Sequence, residues 1–237
     1  MSKIEEAYKL LKNTTPPQAG LTNMGALFGS SSNFHDNFHF HVPFVCNYTG
    51  FVLDPKYIYN FSVLWEFFKP FKYLVIGALL GTSESYACWR TKHHPALIVV
   101  ADVDLEAYNP YRNNMASQYI NITAHYPNEL ILMKSNSQTS KSCRAHGPYD
   151  LIFVDGEHSR KGVYKDIQHA WSQLTKDGVI MVHDVDSIPG VGQGYNDWLG
   201  HAGDQAEHVT IPKEHFQQGL GLIQRSKKNK IKVFKKE

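Results

Sequence analysis

Hydrophobic and polar positions change period twice along this chain. Over residues 2–12, Ile4, Ala7, Leu10 and Leu11 recur at helical intervals, and Pro16-Pro17 closes the pattern, which predicts a helix. Residues 18–49 are rich in Gly, Ser, Asn and Phe without a clear period, as a loop-rich lid or wrap would be. Aromatics return at helical spacing over 57–68 and stop at Pro70, predicting a helix that leads into the core. From there short apolar runs alternate with helix-length segments. The runs predict strands over 73–76, 96–103, 129–133, 150–154, 178–182, 208–211 and 219–224. The segments between them predict helices over 83–90, 108–119, 162–174 and 191–199.

Strands alternating with helices imply right-handed crossovers and a mainly parallel sheet. The expected fold class is therefore α/β, a doubly wound, mostly parallel seven-stranded sheet behind an N-terminal helical and loop extension. A length of 237 residues with 42% hydrophobic content suits one such domain. The divisions expected are 1–70 for the extension and lid, 71–226 for the domain and 227–237 for a tail.

In open α/β sheets ligands bind outside the C-terminal ends of the strands, so polar residues there matter most. The first such turn is Gly77-x-x-x-Gly81-Thr82-Ser83. Glycines let the backbone approach a ligand, and the helix that follows offers free N–H groups and a positive dipole end. Glycine in a strand-to-helix turn is also common for geometry alone. The turn lacks the third glycine of a dinucleotide fingerprint and the Lys of a P-loop. Asp102 ends the second strand about twenty residues on, where an acid hydrogen-bonds ribose hydroxyls in nucleotide-binding folds. Capping of the next helix is the bland alternative, for which Asp104 serves equally well.

The densest chemistry lies in 149–184. Asp155-Gly156-Glu157-His158 ends the fourth strand and His183-Asp184-Val185-Asp186 ends the fifth. If those strands are neighbours, Asp155 and Asp184 converge on one divalent cation. Carboxylate oxygens suit Mg²⁺, and His183 beside them tilts the choice towards Mn²⁺ or Fe²⁺. The alternative is exposed acids at strand ends, with His183 tied to a backbone carbonyl. A second cluster, His35, His39 and His41, alternates with Phe34, Phe38 and Phe40 and reads as a partly buried segment.

Charge narrows the function classes. Arg225 to the end carries seven basic residues and one acid, +6, so the remainder is 2 − 6 = −4. A negative main body argues against a nucleic-acid surface. Cys46, Cys88 and Cys143 are scattered, with no zinc spacing or disulfide framework. The charged N-terminal stretch and the lack of a long apolar run predict a cytoplasmic chain without a membrane span.

With these residues in place the chain resembles the class I S-adenosylmethionine-dependent methyltransferases, and more narrowly the family-24 branch related to catechol and sugar or macrolide O-methyltransferases. Gly77, Gly81 and Ser83 match the Gly turn, Asp102 the ribose acid, and Ser137-Gln138 a pair beside the adenine. Asp155, Gly156, His158, Val163 and Asp166 match D-G-x-H-x-x-x-x-V-x-x-D. His183-Asp184, Pro189-Gly190-Val191, Trp198 and Gly219-Leu220-Gly221 match the motifs that follow. Val75 stands where the family carries an acid two residues before the turn, and Val185 where catechol-type members carry Asn.

The resemblance implies a Rossmann-like methyltransferase that transfers a methyl group to a hydroxyl of a sugar or other polyhydroxylated small molecule. S-adenosyl-L-methionine would lie against Gly77, Gly81, Ser83, Asp102, Ser137, Gln138 and Asp155. A divalent cation, Mg²⁺ or Mn²⁺, would lie on Asp155, His183 and Asp184. Glu157 is the first candidate base and His158 the second. Two other classes stay open: an NAD-dependent oxidoreductase, and a non-catalytic binding or scaffold protein on a degenerate methyltransferase fold. A homo-oligomer is open as well.

Overall fold

The computed structural model of the protein describes residues 1–14, 55–77, 96–103, 129–136, 138 and 142–227. The helices expected over 83–90 and 108–119 lie outside the described residues, as do the segment 18–49 with its histidines, Gly81, Ser83, Ser137, Cys46, Cys88 and the chain beyond 227.

Helix α1 (Lys3–Asn13) begins at a capping box. Ser2 Oγ accepts from Glu5 N at 3.4 Å while Ser2 N donates to the Glu5 carboxylate at 2.7 Å, so two orphan donors of the first turn are satisfied. Ile4, Ala7 and Leu11 are buried, whereas Leu10 lies off that stripe and is exposed. Helix α2 (Pro55–Phe68) packs beside α1. Strands β1 (Lys72–Ile76), β2 (Leu97–Asp102) and β3 (Glu129–Lys134) follow. Then come a short helix α3 (Ser142–His146), β4 (Tyr149–Val154), α4 (Arg160–Gln173) and β5 (Leu174–His183). Helix α5 (Pro189–Ala202), β6 (Ala206–Ile211) and β7 (Leu220–Arg225) complete the order.

The seven strands form one sheet in the order β3-β2-β1-β4-β5-β7-β6. The first five pair in parallel, and β7 runs antiparallel to both β5 and β6. Parallel strands are buried on both faces, which is why they read as continuous apolar runs rather than alternating ones. One face packs Tyr73, Val75, Val100 and Phe153 against Ile4, Phe61, Trp65 and Phe68 of α1 and α2. The other packs Leu74, Ile76, Val99 and Ile152 against Val163, Ile167, Val191 and Trp198 of α4 and α5. Val75 is therefore core, buried in the layer beneath α1 and α2.

Most strand ends fall within two residues of the expected ones. β5 is the exception, starting at Leu174 rather than at 178. Its polar start Thr175-Lys176-Asp177 pairs irregularly with β4, where the register shifts between Tyr149 and Leu151. An apolar pattern cannot show such a segment.

Candidate active site

The strand order reverses direction between β1 and β4, which is the switch point where open α/β sheets bind ligands. Their registers align Ile76 with Ala101 and with Val154, and Val154 with Val182. The ladder runs one residue further, through Gly77 N to Ala101 O at 2.9 Å and Asp155 N to Ile76 O at 2.8 Å. Gly77, Asp102, Asp155 and His183 thus end neighbouring parallel strands on the same edge.

Gly77 has φ +83°, and a Cβ there would fall on the Asp155 carbonyl and Gly156 Cα. Only glycine lets the β1 turn lie this close to the β4 turn. A cleft of about 520 Å³ opens beside it, bordered by Gly77, Asp102, Asn136, Gln138, Asp155 and His158 among others. That volume takes a nucleoside-sized ligand. The close turn at Gly77 and the acid at Asp102 border the space such a group would take.

Where Asp155 and His158 border the cleft, they interlock with the side chains of His183 and Asp184. His158 Nε2 lies 3.6 Å from Asp155 Oδ1 and 3.4 Å from Asp184 Oδ2. His183 Nδ1 lies 3.3 Å from Asp155 Oδ2 and 3.4 Å from Asp184 Oδ1. Each imidazole therefore faces both carboxylates. The Asp184 side chain is 5% exposed, and its Oδ1 accepts no hydrogen bond. Asp184 also adopts φ +63°, a strained setting for a non-glycine residue and one that marks functional turns.

The two histidines differ in freedom. His183 Nε2 lies 3.2 Å from Gln217 O, and its ring packs between Phe153 and Phe216. The His158 side chain is 48% exposed. Burial alone would raise the Asp155 carboxyl, but His183 and His158 outweigh it and hold it well below the usual range. Burial pushes Asp184 up, against the pull of His183. The Asp155 carboxylate beside it raises His158, while burial lowers His183 and the two carboxylates outweigh that and raise it.

Three donor atoms, one each from Asp155, His158 and Asp184, lie within 4.8 Å of one another, and these residues could hold a metal ion. The separations of 3.4 and 3.6 Å suit donors around a shared cation. The sequence placed His183 in this set. The structure brings His158 into it and sets His183 against the opposite oxygens of the same carboxylates. His183 and Asp184, consecutive at the end of β5, stay in contact, with Nδ1 and Oδ1 3.4 Å apart. The Asp-x-x-His spacing of Asp155 and His158 is the sequence signal for this second contact.

Glu157 is held by neighbouring polar groups. Its carboxylate accepts from Ser159 Oγ and, at 3.1 Å, from Gln138 Nε2, and the Ser159 bond chiefly holds it below its ordinary range. The Gln138 amide also lies 3.4 Å from Gly162 O, so it ties the loop after β3 to the start of α4. Asp166, buried on α4, accepts from Glu157 N at 3.4 Å and braces the 155–158 turn, a support the sequence reading left unassigned.

The cleft at the switch point of this 3-2-1-4-5-7-6 sheet lies within a methyltransferase domain. Residues 73–185 match the family-24 methyltransferase model, described as a methyltransferase domain. No curated protein sequence matches this chain. Among solved structures, cofactor-bound Rv0187 from MTB is similar at 16% identity and TM-score 0.62, over 90% of this chain and 98% of that one. TomG, an O-methyltransferase of tomaymycin synthesis from Streptomyces achromogenes in complex with SAM, is similar at 12% identity and TM-score 0.59, over 87% and 95% of the two chains. An O-methyltransferase from Bacillus cereus in complex with SAH gives 13% identity and TM-score 0.57, over 95% and 98%. At such identities the likeness is one of fold. Among the described residues no helix is long and apolar enough to cross a membrane.

Proposed function

We propose that this protein transfers a methyl group from S-adenosylmethionine to a hydroxyl of a small polyhydroxylated molecule, a sugar being the first choice, with a divalent cation at Asp155 and Asp184. The observation that carries the reading is the convergence of Asp155, His158 and Asp184 beside a cleft that Gly77 and Asp102 also line. The O-methyltransferases among its structural neighbours support the same direction.

Asp102 takes the ribose hydroxyls, and the backbone turn at Gly77 admits the rest of the nucleoside. Val75, sealed in the core, takes no part in binding. The cofactor supplies an electrophilic methyl on a sulfonium. The cation, when bound, supplies Lewis-acid help that makes a coordinated hydroxyl more acidic. Asp184 is the buried carboxylate whose own surroundings leave it short of positive charge, and a cation makes good that shortfall. Glu157, held ionised by Ser159 and Gln138, is a weak base, adequate for a hydroxyl already made acidic and for passing its proton to solvent. Asp166 and His183 keep the carboxylates in place. Alignment of acceptor oxygen and methyl group by these fixed elements supplies much of the remaining rate.

The test is a methyl-transfer assay across a panel of sugars, polyols and catechols, run with and without chelator. Transfer to a hydroxyl that stops on chelation and returns with added cation supports the reading. Undiminished transfer in chelator rejects the cation, and transfer to nitrogen or carbon alone rejects the O-methyl assignment.

A further inference from the structure

We infer that His158 is a cation ligand and not a base, so the centre with Asp155 and Asp184 takes a first-row transition ion such as Mn²⁺ in preference to Mg²⁺. This rests on the reading of Asp155 and Asp184 as cation ligands given above. His158 Nε2 spans one oxygen of each carboxylate, at 3.6 and 3.4 Å. Its side chain is half exposed, so the ring can adjust to an ion, whereas His183 is fixed between Phe153 and Phe216 and anchored at Gln217. Asp184 is buried as well, and its Oδ2 is the oxygen turned to His158.

The chemistry of the donor set gives the selectivity. Mg²⁺ is a hard ion that keeps oxygen ligands and sheds its waters reluctantly. An imidazole nitrogen adds little to Mg²⁺ binding and more to transition ions, whose affinity for mixed nitrogen and oxygen sites rises along the first row. One nitrogen with two carboxylates therefore shifts preference without excluding oxygen chemistry.

The experiment uses the full chain freed of metal by chelator. Mn²⁺, Co²⁺ and Mg²⁺ are titrated separately by calorimetry, and the Co²⁺ form is read by its visible spectrum. The expected result is Mn²⁺ and Co²⁺ binding at least about tenfold tighter than Mg²⁺. In His158→Ala, Mn²⁺ should weaken by about 10- to 100-fold while Mg²⁺ changes by less than about threefold, the scale seen when metal-site partners are removed. His158→Gln and thermal unfolding of each variant guard against simple loss of fold. Equal affinity for Mn²⁺ and Mg²⁺, or an equal loss of both in His158→Ala, overturns the inference and leaves the cation reading standing. If no ion binds the wild type more tightly than Asp184→Asn, both fall, and His158 with Asp155 is then a metal-free acid–base pair. S-adenosylhomocysteine titrated into the same samples reads the cofactor half independently.

Discussion

The two halves of the sheet's C-terminal edge are built by different means. On the β1–β2–β3 side the described groups are few, and shape does the work: a glycine at φ +83°, one acid at Asp102, and a loop tied down through Gln138. On the β4–β5 side four charged or chargeable groups face one another within 3.3 to 3.6 Å, braced by Asp166, Gln217 and two phenylalanines. A nucleoside needs room and a few hydrogen bonds. Chemistry on a hydroxyl needs charge held in place before the substrate arrives. The contrast teaches that binding and transfer should fail separately when each half is damaged.

The largest effect is expected at the charged half. Asp184→Ala should lower methyl transfer by about a thousandfold, roughly 4 kcal/mol of barrier, while S-adenosylhomocysteine affinity stays within about threefold. The next should come from the join between the halves. Gly77→Ala places a Cβ on the Asp155 carbonyl, so the turns must part. Chemical denaturation should show a loss of more than about 2 kcal/mol, with cofactor binding lost as well.

Damage to the shape-built half alone should be milder. Asp102→Ala is expected to weaken S-adenosylhomocysteine by about 10- to 100-fold, with Mn²⁺ affinity unchanged, because a charge-assisted hydrogen bond is worth about 1.5–3 kcal/mol. Glu157→Gln should cost less than about tenfold in turnover, since only a weak base and one clasp on Gln138 are lost.

The smallest effect lies outside both halves. Burial, with Arg144 near, holds His169 below its ordinary 6.5. The unfolded chain then takes up that proton first, so stability should fall as pH drops through 6.5 and be untouched above it. His169→Gln should flatten this slope in thermal melts, and an unchanged slope would assign it to other groups.

Much of this was legible in the chain. Buried parallel strands are apolar runs, so β1, β2, β3 and β4 were found within about two residues, and α1 ended ahead of its prolines as expected. Helix α3 escaped because five residues, Ser-Cys-Arg-Ala-His, are too few to display a period. Helix α5 runs on to Ala202 past Gly200, where the pattern suggested an end at 199. Asp155, Asp184 and His158 were legible as candidates because strand ends are where such sheets put ligands. Their mutual contacts were not, since they depend on how the turn at 155–158 folds back against the end of β5. The positive φ of Asp184 is a backbone fact that no spacing reveals. Nor did the sequence show Glu157 drawn aside by Ser159 and Gln138, because those partners meet only once β3 and α4 are packed.

The most direct test of the two-part site is one calorimetric series, S-adenosylhomocysteine titrated into the wild type, Asp102→Ala and Asp184→Asn. The account predicts equal binding to the wild type and Asp184→Asn, and clear weakening in Asp102→Ala. No binding to the wild type, or the same loss in both variants, would contradict it.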